Sequence, residues 1–262
     1  MSFKVSASDF DGTIYRGEKI SDDDLTAIRA WRAAGNKFGI VTGRAFVMLA
    51  PHLKLFNVEA DFAICCNGSA IYDGDGQILF ESELPKNFTV DVLAEPCALP
   101  TAHFAFEAAN EIFCARVKEH SWVLREKNRW NFSVTIVDDA QVATLPKRIN
   151  QLALDFSTPD EAQAAADALN CRFGDVIFAQ KNTHSVDVVP VGINKASGVE
   201  NLLRLMNWRD AKVFVVGDES NDLPMIRHFG GYTVATAKDF VKREATAVFD
   251  SVGDMLNNFR DA

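Results

Sequence analysis

Short apolar segments alternate with helical segments over the first third of the chain. Residues 3–8, 37–41 and 61–66 have the length and the aromatic and β-branched content of buried strands. Between them, residues 22–34 and 45–53 show the three-to-four-residue spacing of amphipathic helices. This βαβαβ order predicts a parallel sheet with helices on its faces.

Local signals support these boundaries. Ser21 and Asp24 predict a capping box at the start of the first helix, and Gly35 predicts its C-terminal end. Within residues 70–80, apolar segments flank the acidic, glycine-containing stretch 73–76, which predicts a hairpin. The alternative, a calcium-binding loop, is disfavoured because the later ligand positions are missing.

The middle of the chain has a different pattern, and we expect it to form an inserted α/β domain. Strand-like segments occur at 102–106, 132–137, 151–156 and 176–180, and helical segments at 141–150 and 160–169. The first pattern returns in strands at 185–189, 212–216 and 232–235 and in helices at 195–206, 223–229 and 252–260. The sequence therefore predicts an α/β fold: a Rossmann-like, doubly wound core of residues 1–83 and 185–262, with residues 84–184 inserted.

Composition narrows the class of protein. With 48% hydrophobic and 24% charged residues, the 262-residue chain is typical of a globular protein. A net charge of −9 disfavours binding to nucleic acid or to an anionic membrane, but it permits a divalent-cation site. The five cysteines lack CxxC spacing and are expected to be reduced core thiols. The acidic N-terminal region and the lack of a long apolar run predict a cytoplasmic protein.

Carboxylates follow two of the predicted strands directly. Asp9 and Asp11 come after the first strand, and residues 217–222 (Gly-Asp-Glu-Ser-Asn-Asp) follow the strand at 212–216. Open α/β sheets bind ligands at the carboxyl ends of their strands, and paired carboxylates can share Mg²⁺. Taken alone, Asp9–Thr13 could equally be a turn. For residues 217–222, an acidic helix-capping loop is the weaker alternative, because three carboxylates and an amide crowd a short segment beside a parallel sheet.

Two further segments have chemistry suited to an anion. Thr42, Gly43 and Arg44 end the second strand and offer a hydroxyl and backbone N–H groups at a helix start. Lys195 begins another predicted helix, where its ammonium could neutralise a phosphate. In isolation, Thr42 could be a helix cap and Lys195 a solvated surface residue.

The order and spacing of these segments, DxDGT, TGR, Lys and GDxxND, resemble the haloacid dehalogenase (HAD) superfamily of phosphotransferases. The inserted domain resembles the large α/β cap of the Cof-type sugar-phosphate phosphatase branch. Cys66-Asn67-Gly68 and the hairpin after it resemble the "NG" segment and flap of that branch.

The resemblance implies a role for each matching residue. Asp9 is the expected nucleophile, which forms an aspartyl-phosphate, and Asp11 the general acid and base. Mg²⁺ is expected on Asp9, the backbone carbonyl of Asp11 and Asp218, and Asp222 is expected to orient water on the metal or Lys195. The phosphoryl oxygens are expected to be bound by Lys195, Thr42 and Gly43, with help from Asn221 and from the backbone of Phe10.

The implied activity is hydrolysis of a small soluble phosphomonoester, such as a sugar phosphate. A sugar phosphomutase of the same superfamily and a catalytically silent binding module are the alternatives. Residues 121–130 are locally basic and aromatic: Arg125, Lys127 or Arg129 could bind a second phosphate or a carboxylate, or the segment could be a solvated face with tryptophan packed inward. The sequence predicts neither the role of Arg44, the particular substrate nor the oligomeric state.

Overall fold

The computed structural model describes residues 3–145 and 148–260. Strands β1–β14 are Lys4–Ser8, Lys37–Val41, Phe62–Cys65, Ala70–Asp73, Ile78–Glu81, Phe104–Ala108, Glu111–Ala115, Val134–Ile136, Gln151–Asp155, Ile177–Asn182, Ser185–Pro190, Lys212–Val216, Thr233–Val234 and Val248–Phe249. Helices α1–α10 are Asp22–Ala33, Phe46–Leu55, Lys86–Asp91, Trp122–Trp130, Asp139–Val142, Pro159–Phe173, Lys195–Leu205, Leu223–Phe229, Asp239–Glu244 and Val252–Arg260. Short 3₁₀ turns are Cys66–Gly68, Val92–Ala94 and Ser220–Asp222.

The first sheet has the strand order β12-β1-β2-β3-β4-β5. Strands β12, β1, β2 and β3 are parallel, and β4 returns antiparallel to β3. Helix α7 packs on the face that includes Val5 and Ala7. On the opposite face, Phe214 of β12 contacts Trp31 of α1 and Phe259 of α10. The predicted α/β fold, with helices on both faces of a mainly parallel sheet, is confirmed.

Adjacent parallel strands bring their carboxyl ends to one edge of this sheet. The segments after β1, β2, β3 and β12 therefore begin side by side, although β1 and β12 are about 200 residues apart in the sequence. Strand β1 lies in the middle of these strands, and its Ser8 hydroxyl is buried and donates to the carbonyl of Asp9 (2.8 Å). This hydrogen bond satisfies a polar side chain inside a buried strand.

The predicted helix ends and the hairpin are confirmed, but the capping box is not: the Asp24 carboxylate accepts from the Ser21 hydroxyl (2.7 Å) and the Gly253 backbone N–H (2.6 Å) instead of the Ser21 backbone N–H. Ser21 accepts a hydrogen bond from the backbone N–H of Asp24 (3.0 Å) at the start of α1. Gly35, at φ 84°, follows the end of that helix. Strands β4 and β5 form the hairpin, where Asp73 accepts from the backbone N–H groups of Asp75 (3.0 Å) and Gln77 (2.8 Å). This carboxylate therefore stabilises a turn, as the hairpin interpretation requires.

The chain divides into two compact units. One comprises the described residues up to Thr42, His52–Phe80 and those from Asn194 onward; the other comprises Gly43–Pro51 and Glu81–Ile193. The second unit contains a sheet of order β10-β11-β9-β6-β7-β8, in which only β7 and β8 pair in parallel among the described strands. Leu152 and Leu154 of β9 belong to the same hydrophobic core as Ala162, Ala165 and Leu169 of α6.

Three features of this unit differ from the sequence prediction. Strand β11, assigned to the core because the alternating pattern of strands and helices returns there, pairs with β9 and β10 instead. Apolar patterning specifies a buried strand but not the sheet that it joins. Of the helix predicted at 141–150, only α5 forms; Pro146 and Lys147 lie outside the described residues. Strand β7 and helices α3 and α4 were not predicted.

The five cysteines all lie within the described residues and form no disulfide, but they are not all in the core. Cys65, Cys66 and Cys114 are buried, Cys97 is half-buried and Cys171 is exposed. Among the residues that the structure describes, no helix combines the length and apolar character needed to cross a bilayer.

Candidate active site

Lys195 is the only described lysine with a fully buried side chain that contacts two carboxylates. Its Nζ donates to Asp9 Oδ1 (2.6 Å) and to Asp222 Oδ1 (2.5 Å). Helix α7 positions it, because the Asn194 side chain caps that helix by accepting from the backbone N–H of Ser197 (3.0 Å). The structure thus brings two of the predicted site residues, Lys195 and Asp9, into direct contact through their side chains.

Asp222 is a structural centre of the loop after β12. Its Oδ2 accepts from the backbone N–H groups of Asp218 (2.8 Å) and Glu219 (2.9 Å), while Oδ1 accepts from Lys195. Both carboxylate oxygens are therefore engaged by donors of the protein. Lys238 pairs with Glu219 and holds the other side of the same loop.

Asp218 faces the loop after β1. Its Oδ1 accepts from the Thr13 hydroxyl (2.5 Å), a contact with the DxDGT segment that the sequence prediction did not include. Gly12 allows this approach: it has φ 83°, and a Cβ placed there would lie 2.3 Å from Asp218 Oδ2. The last two residues of that segment thus set the position of a carboxylate more than 200 residues away in the chain.

Burial and charge repulsion disfavour the ionised forms of Asp9 and Asp218. Burial, followed by repulsion from Asp222, raises the pKa of Asp9 well above its usual value, although Lys195 partly opposes the shift. Burial also raises the pKa of Asp218 to about 6, with Thr13 lowering it and Asp222 raising it. Burial alone would lower the pKa of Lys195, but attraction to Asp222 and Asp9 outweighs burial and raises it. The Lys195 ammonium therefore stays charged. Its single positive charge does not balance the surrounding carboxylates, so the site has an excess of negative charge.

This donor set fits a hard divalent cation. Asp9, Asp218 and Asp222 each offer an oxygen, and these atoms lie within 4.8 Å of one another. Mg²⁺ prefers such oxygen ligands and commonly binds through one or two carboxylates. Because both oxygens of Asp222 already accept hydrogen bonds, Asp9 and Asp218 are the better candidates to hold it.

Asp11 does not belong to the cluster of Asp9, Asp218 and Asp222. Its side chain is exposed, in a loop closed by hydrogen bonds from Gly12 N to Tyr15 O (3.0 Å) and from Tyr15 N to Phe10 O (2.8 Å). The Phe10 ring is buried and stacks on Tyr15 at 5.0 Å. This packing holds the loop in place and restricts the backbone of Phe10, which follows Asp9 in the chain.

Thr42 and Asn221 are both hydrogen-bonded to Asn67, a residue that the predicted site did not include. Asn67 donates its backbone N–H to the Thr42 carbonyl (3.0 Å), and its Oδ1 accepts from Asn221 Nδ2 (3.1 Å). The only signal for Asn67 in the sequence was the Asn-Gly pair after β3. Gly43 falls in the second unit, where its carbonyl accepts from Gln151 Nε2 (2.9 Å).

The basic stretch forms helix α4 of the second unit. Arg125 and Arg129 are exposed, and the indole of Trp122 contacts the buried His103 ring at 5.2 Å. The exposed arginines and the indole packed against a buried ring favour the interpretation that most of this helix is a solvated face with tryptophan packed inward. Arg44 lies 3.9 Å from Glu126 on α4. Contact of a cation of this helix with substrate stays a prediction.

Fold and site define a class of protein: an α/β enzyme whose carboxylates and buried lysine lie at the carboxyl edge of a parallel sheet. The model of the haloacid dehalogenase-like hydrolases matches residues 6–254. The chain belongs to this family and is a phosphoric monoester hydrolase, as the sequence resemblance predicted.

Similar proteins extend over nearly the whole chain. The 5-amino-6-(5-phospho-D-ribitylamino)uracil phosphatase YcsE of Bacillus subtilis is 27% identical, covering 96% of this chain and 91% of its own. The pyridoxal phosphate phosphatase YbhA of Escherichia coli is 26% identical, covering 99% and 98%. The structure of the HAD subclass IIB sugar phosphatase BT4131 shares the fold, with a TM-score of 0.79, 22% identity and coverage of 98% of each chain.

Proposed function

We propose that this protein is a Mg²⁺-dependent phosphatase that hydrolyses a small phosphorylated metabolite through an aspartyl-phosphate. The observation that carries the proposal is the buried Asp9–Lys195–Asp222 contact beside Asp218. Three carboxylates and one ammonium leave a net negative site. Such a site accepts a phosphate only when further positive charge is present, and a divalent cation provides it.

Asp9, Asp218 and the backbone carbonyl of Asp11 would hold Mg²⁺. When bound, the cation offsets the repulsion between the nucleophile and the phosphoryl group and stabilises charge on the transferring oxygens. Asp222 has a different part: it orients Lys195 and the loop that presents Asp218. A cation held by Asp9 would favour the ionised carboxylate that a nucleophile needs, despite the raised pKa of this buried carboxyl group.

The reaction proceeds in two displacements. A carboxylate oxygen of Asp9 forms a bond to phosphorus while the ester P–O bond breaks, and Asp11 gives its proton to the leaving alkoxide. Water then attacks phosphorus, Asp11 takes a proton from it, and the Asp9–phosphorus bond breaks to release inorganic phosphate. The burial of Asp9 and the exposure of Asp11 support this division, because a proton donor must reach the leaving group and solvent.

Neutral and cationic donors would bind the phosphoryl oxygens. These are Lys195 Nζ, the Thr42 hydroxyl, the Asn221 amide and backbone N–H groups at Phe10 and Gly43. The phosphatases to which the chain is similar are named for phosphorylated small molecules, which supports the same substrate class here. The second unit is proposed as the cap that selects among such substrates, and the enzyme is proposed to act in the cytoplasm.

Substitution Asp9→Asn tests the mechanism. We expect it to reduce release of inorganic phosphate from an aryl phosphate to background, because a carboxamide oxygen is a poor nucleophile. Removal of Mg²⁺ with a chelator is expected to have the same effect, reversed by adding Mg²⁺. Asp75→Asn, at an exposed hairpin position, is the matched control and should retain full activity. Unchanged turnover by Asp9→Asn would rule out this mechanism.

A further inference from the structure

The turn Cys66–Gly68, directly after β3, has an unusual backbone. Cys66 and Asn67 have φ values of 50° and 52°, and Gly68 has 110°. Two consecutive non-glycine residues in the left-handed region are uncommon, and asparagine tolerates it better than most residues. All three residues are buried. Surrounding contacts must therefore hold this turn in place.

Those contacts come from three separate segments of the site. Asn67 binds the Thr42 carbonyl through its N–H (3.0 Å) and Asn221 through its side chain (3.1 Å). Gly68 lies against the cap of helix α7, since a Cβ placed there would be 2.4 Å from the Asn194 carbonyl oxygen. The turn thus touches the segments that present Thr42, Lys195 and Asn221.

The hydrogen bond to Asn221 has a chemical consequence. A carboxamide has two N–H donors on one side and an acceptor oxygen on the other. An acceptor at Asn67 Oδ1 selects the orientation in which the Asn221 nitrogen faces Asn67. One N–H is then used by Asn67, which leaves the second N–H of Asn221 for another acceptor.

We propose that Asn67 is a positioning residue for phosphate binding: it orients the Asn221 amide and fixes the Thr42 segment before substrate arrives. This inference rests on the proposed phosphatase function. It adds a residue that does not touch the reacting atoms but acts through two that do. Its strained backbone is the conformation that lets one residue contact both segments.

Three variants separate the side chain of Asn67 from its backbone. Glycine adopts the left-handed conformation freely, so Asn67→Gly keeps the turn and removes only the acceptor. Asn67→Ala removes the acceptor and adds backbone strain. Asn67→Asp tolerates the same backbone and keeps an acceptor oxygen, but it brings a negative charge near the phosphate.

The readouts are kcat, KM and inhibition by inorganic phosphate. For Asn67→Gly we expect kcat/KM to fall about ten-fold and the inhibition constant of phosphate to rise by a similar factor, the effect of one misplaced hydrogen bond to a charged group. Asn67→Ala should show the same kinetic loss with a lower melting temperature. Asn67→Asp should recover most of the lost kcat with a raised KM.

A merely structural role predicts a different pattern. Partial unfolding lowers kcat but leaves KM and the phosphate inhibition constant unchanged. Wild-type kinetics for Asn67→Gly, or an Asn67→Asp kcat as low as that of Asn67→Gly, would overturn the inference. Asp9→Asn, measured in parallel, tests the phosphatase proposal separately. If Asp9→Asn is inactive while the Asn67 variants behave like the wild type, the phosphatase proposal stands and only the proposed role of Asn67 fails.

Discussion

Lys195 connects two carboxylates that are otherwise unfavourable in a buried site. Removing one partner of a buried ion pair leaves uncompensated charge, which costs much more than the net value of the pair. At this site the uncompensated groups would be Asp9 and Asp222, both buried. The lysine is therefore expected to contribute to stability, in addition to its proposed role in phosphate binding.

Substitution Lys195→Met tests this contribution. We expect the free energy of unfolding to fall by about 3–5 kcal/mol, because the two carboxylates lose their cation. Turnover should be lost as well. Chemical denaturation followed by circular dichroism measures the stability change, with exposed Lys54→Met as the control. A Lys195→Met protein as stable as the wild type would contradict this account.

Gly12 allows the Asp218 carboxylate to approach the DxDGT loop. Gly12→Ala places a methyl group 2.3 Å from Asp218 Oδ2 and also strains the backbone at φ 83°. We expect activity to fall by about 100-fold or more, since small displacements of reacting groups have effects of that size. Gly17→Ala is the matched control: it also has positive φ, at 56°, but open space around it. Steady-state assays should show nearly normal activity for that control.

At the level of helices and strands, Asp61 joins α1 to the sheet. It accepts from Arg32 Nε of α1 (2.9 Å) and from the backbone N–H (3.1 Å) of Phe38 in β2. Burial would raise the pKa of this carboxyl group, but these hydrogen bonds and one from Lys37 outweigh burial and lower it. The ionised carboxylate therefore stabilises the native state.

This pKa shift predicts a pH dependence of Asp61→Asn. Because the native pKa of Asp61 lies below the unfolded value near 4, its stabilisation is complete above that pH and is lost as pH falls through the native pKa. We expect Asp61→Asn to lower the free energy of unfolding by about 1–2 kcal/mol at pH 7. The difference should shrink toward pH 3 in urea denaturation. A difference independent of pH would show that the carboxylate charge is not its cause.

At the scale of the whole molecule, the proposed Mg²⁺ site predicts a change in the stability of the unit that holds it. A ligand that binds only the native state stabilises it by RT ln(1 + [L]/Kd), which is about 2.7 kcal/mol at 100 times Kd. We expect Mg²⁺ to raise the melting temperature of the wild type by several degrees, compared with K⁺ at equal ionic strength.

Asp218→Asn is the informative variant for this measurement. It should melt at or above the metal-free wild type at pH 8, because burial and Asp222 disfavour the ionised Asp218 carboxylate there. Asp218→Asn should also lose the Mg²⁺-dependent rise in melting temperature. A Mg²⁺ effect of wild-type size in Asp218→Asn would exclude Asp218 as a ligand. This test is independent of turnover.

The local pattern of the sequence determined the elements of the core and the side of the sheet on which the site lies. Apolar periodicity specifies which segments become strands, and parallel strands end at one edge, so Asp9, Thr42 and Asp218 were expected there. The caps of α1 and the hairpin of β4 and β5 were also predictable, because they depend on contacts within a few residues.

Only the tertiary structure decided how these groups share their hydrogen bonds. Lys195 contacts Asp9 across 186 positions of sequence, and Asn67 contacts Asn221 across 154. It also placed β11 in the second sheet, which its apolar pattern did not distinguish from the first. The physical reason is the same in each case: a sequence pattern specifies that a residue is buried or polar, whereas its partner depends on packing between segments distant in the chain.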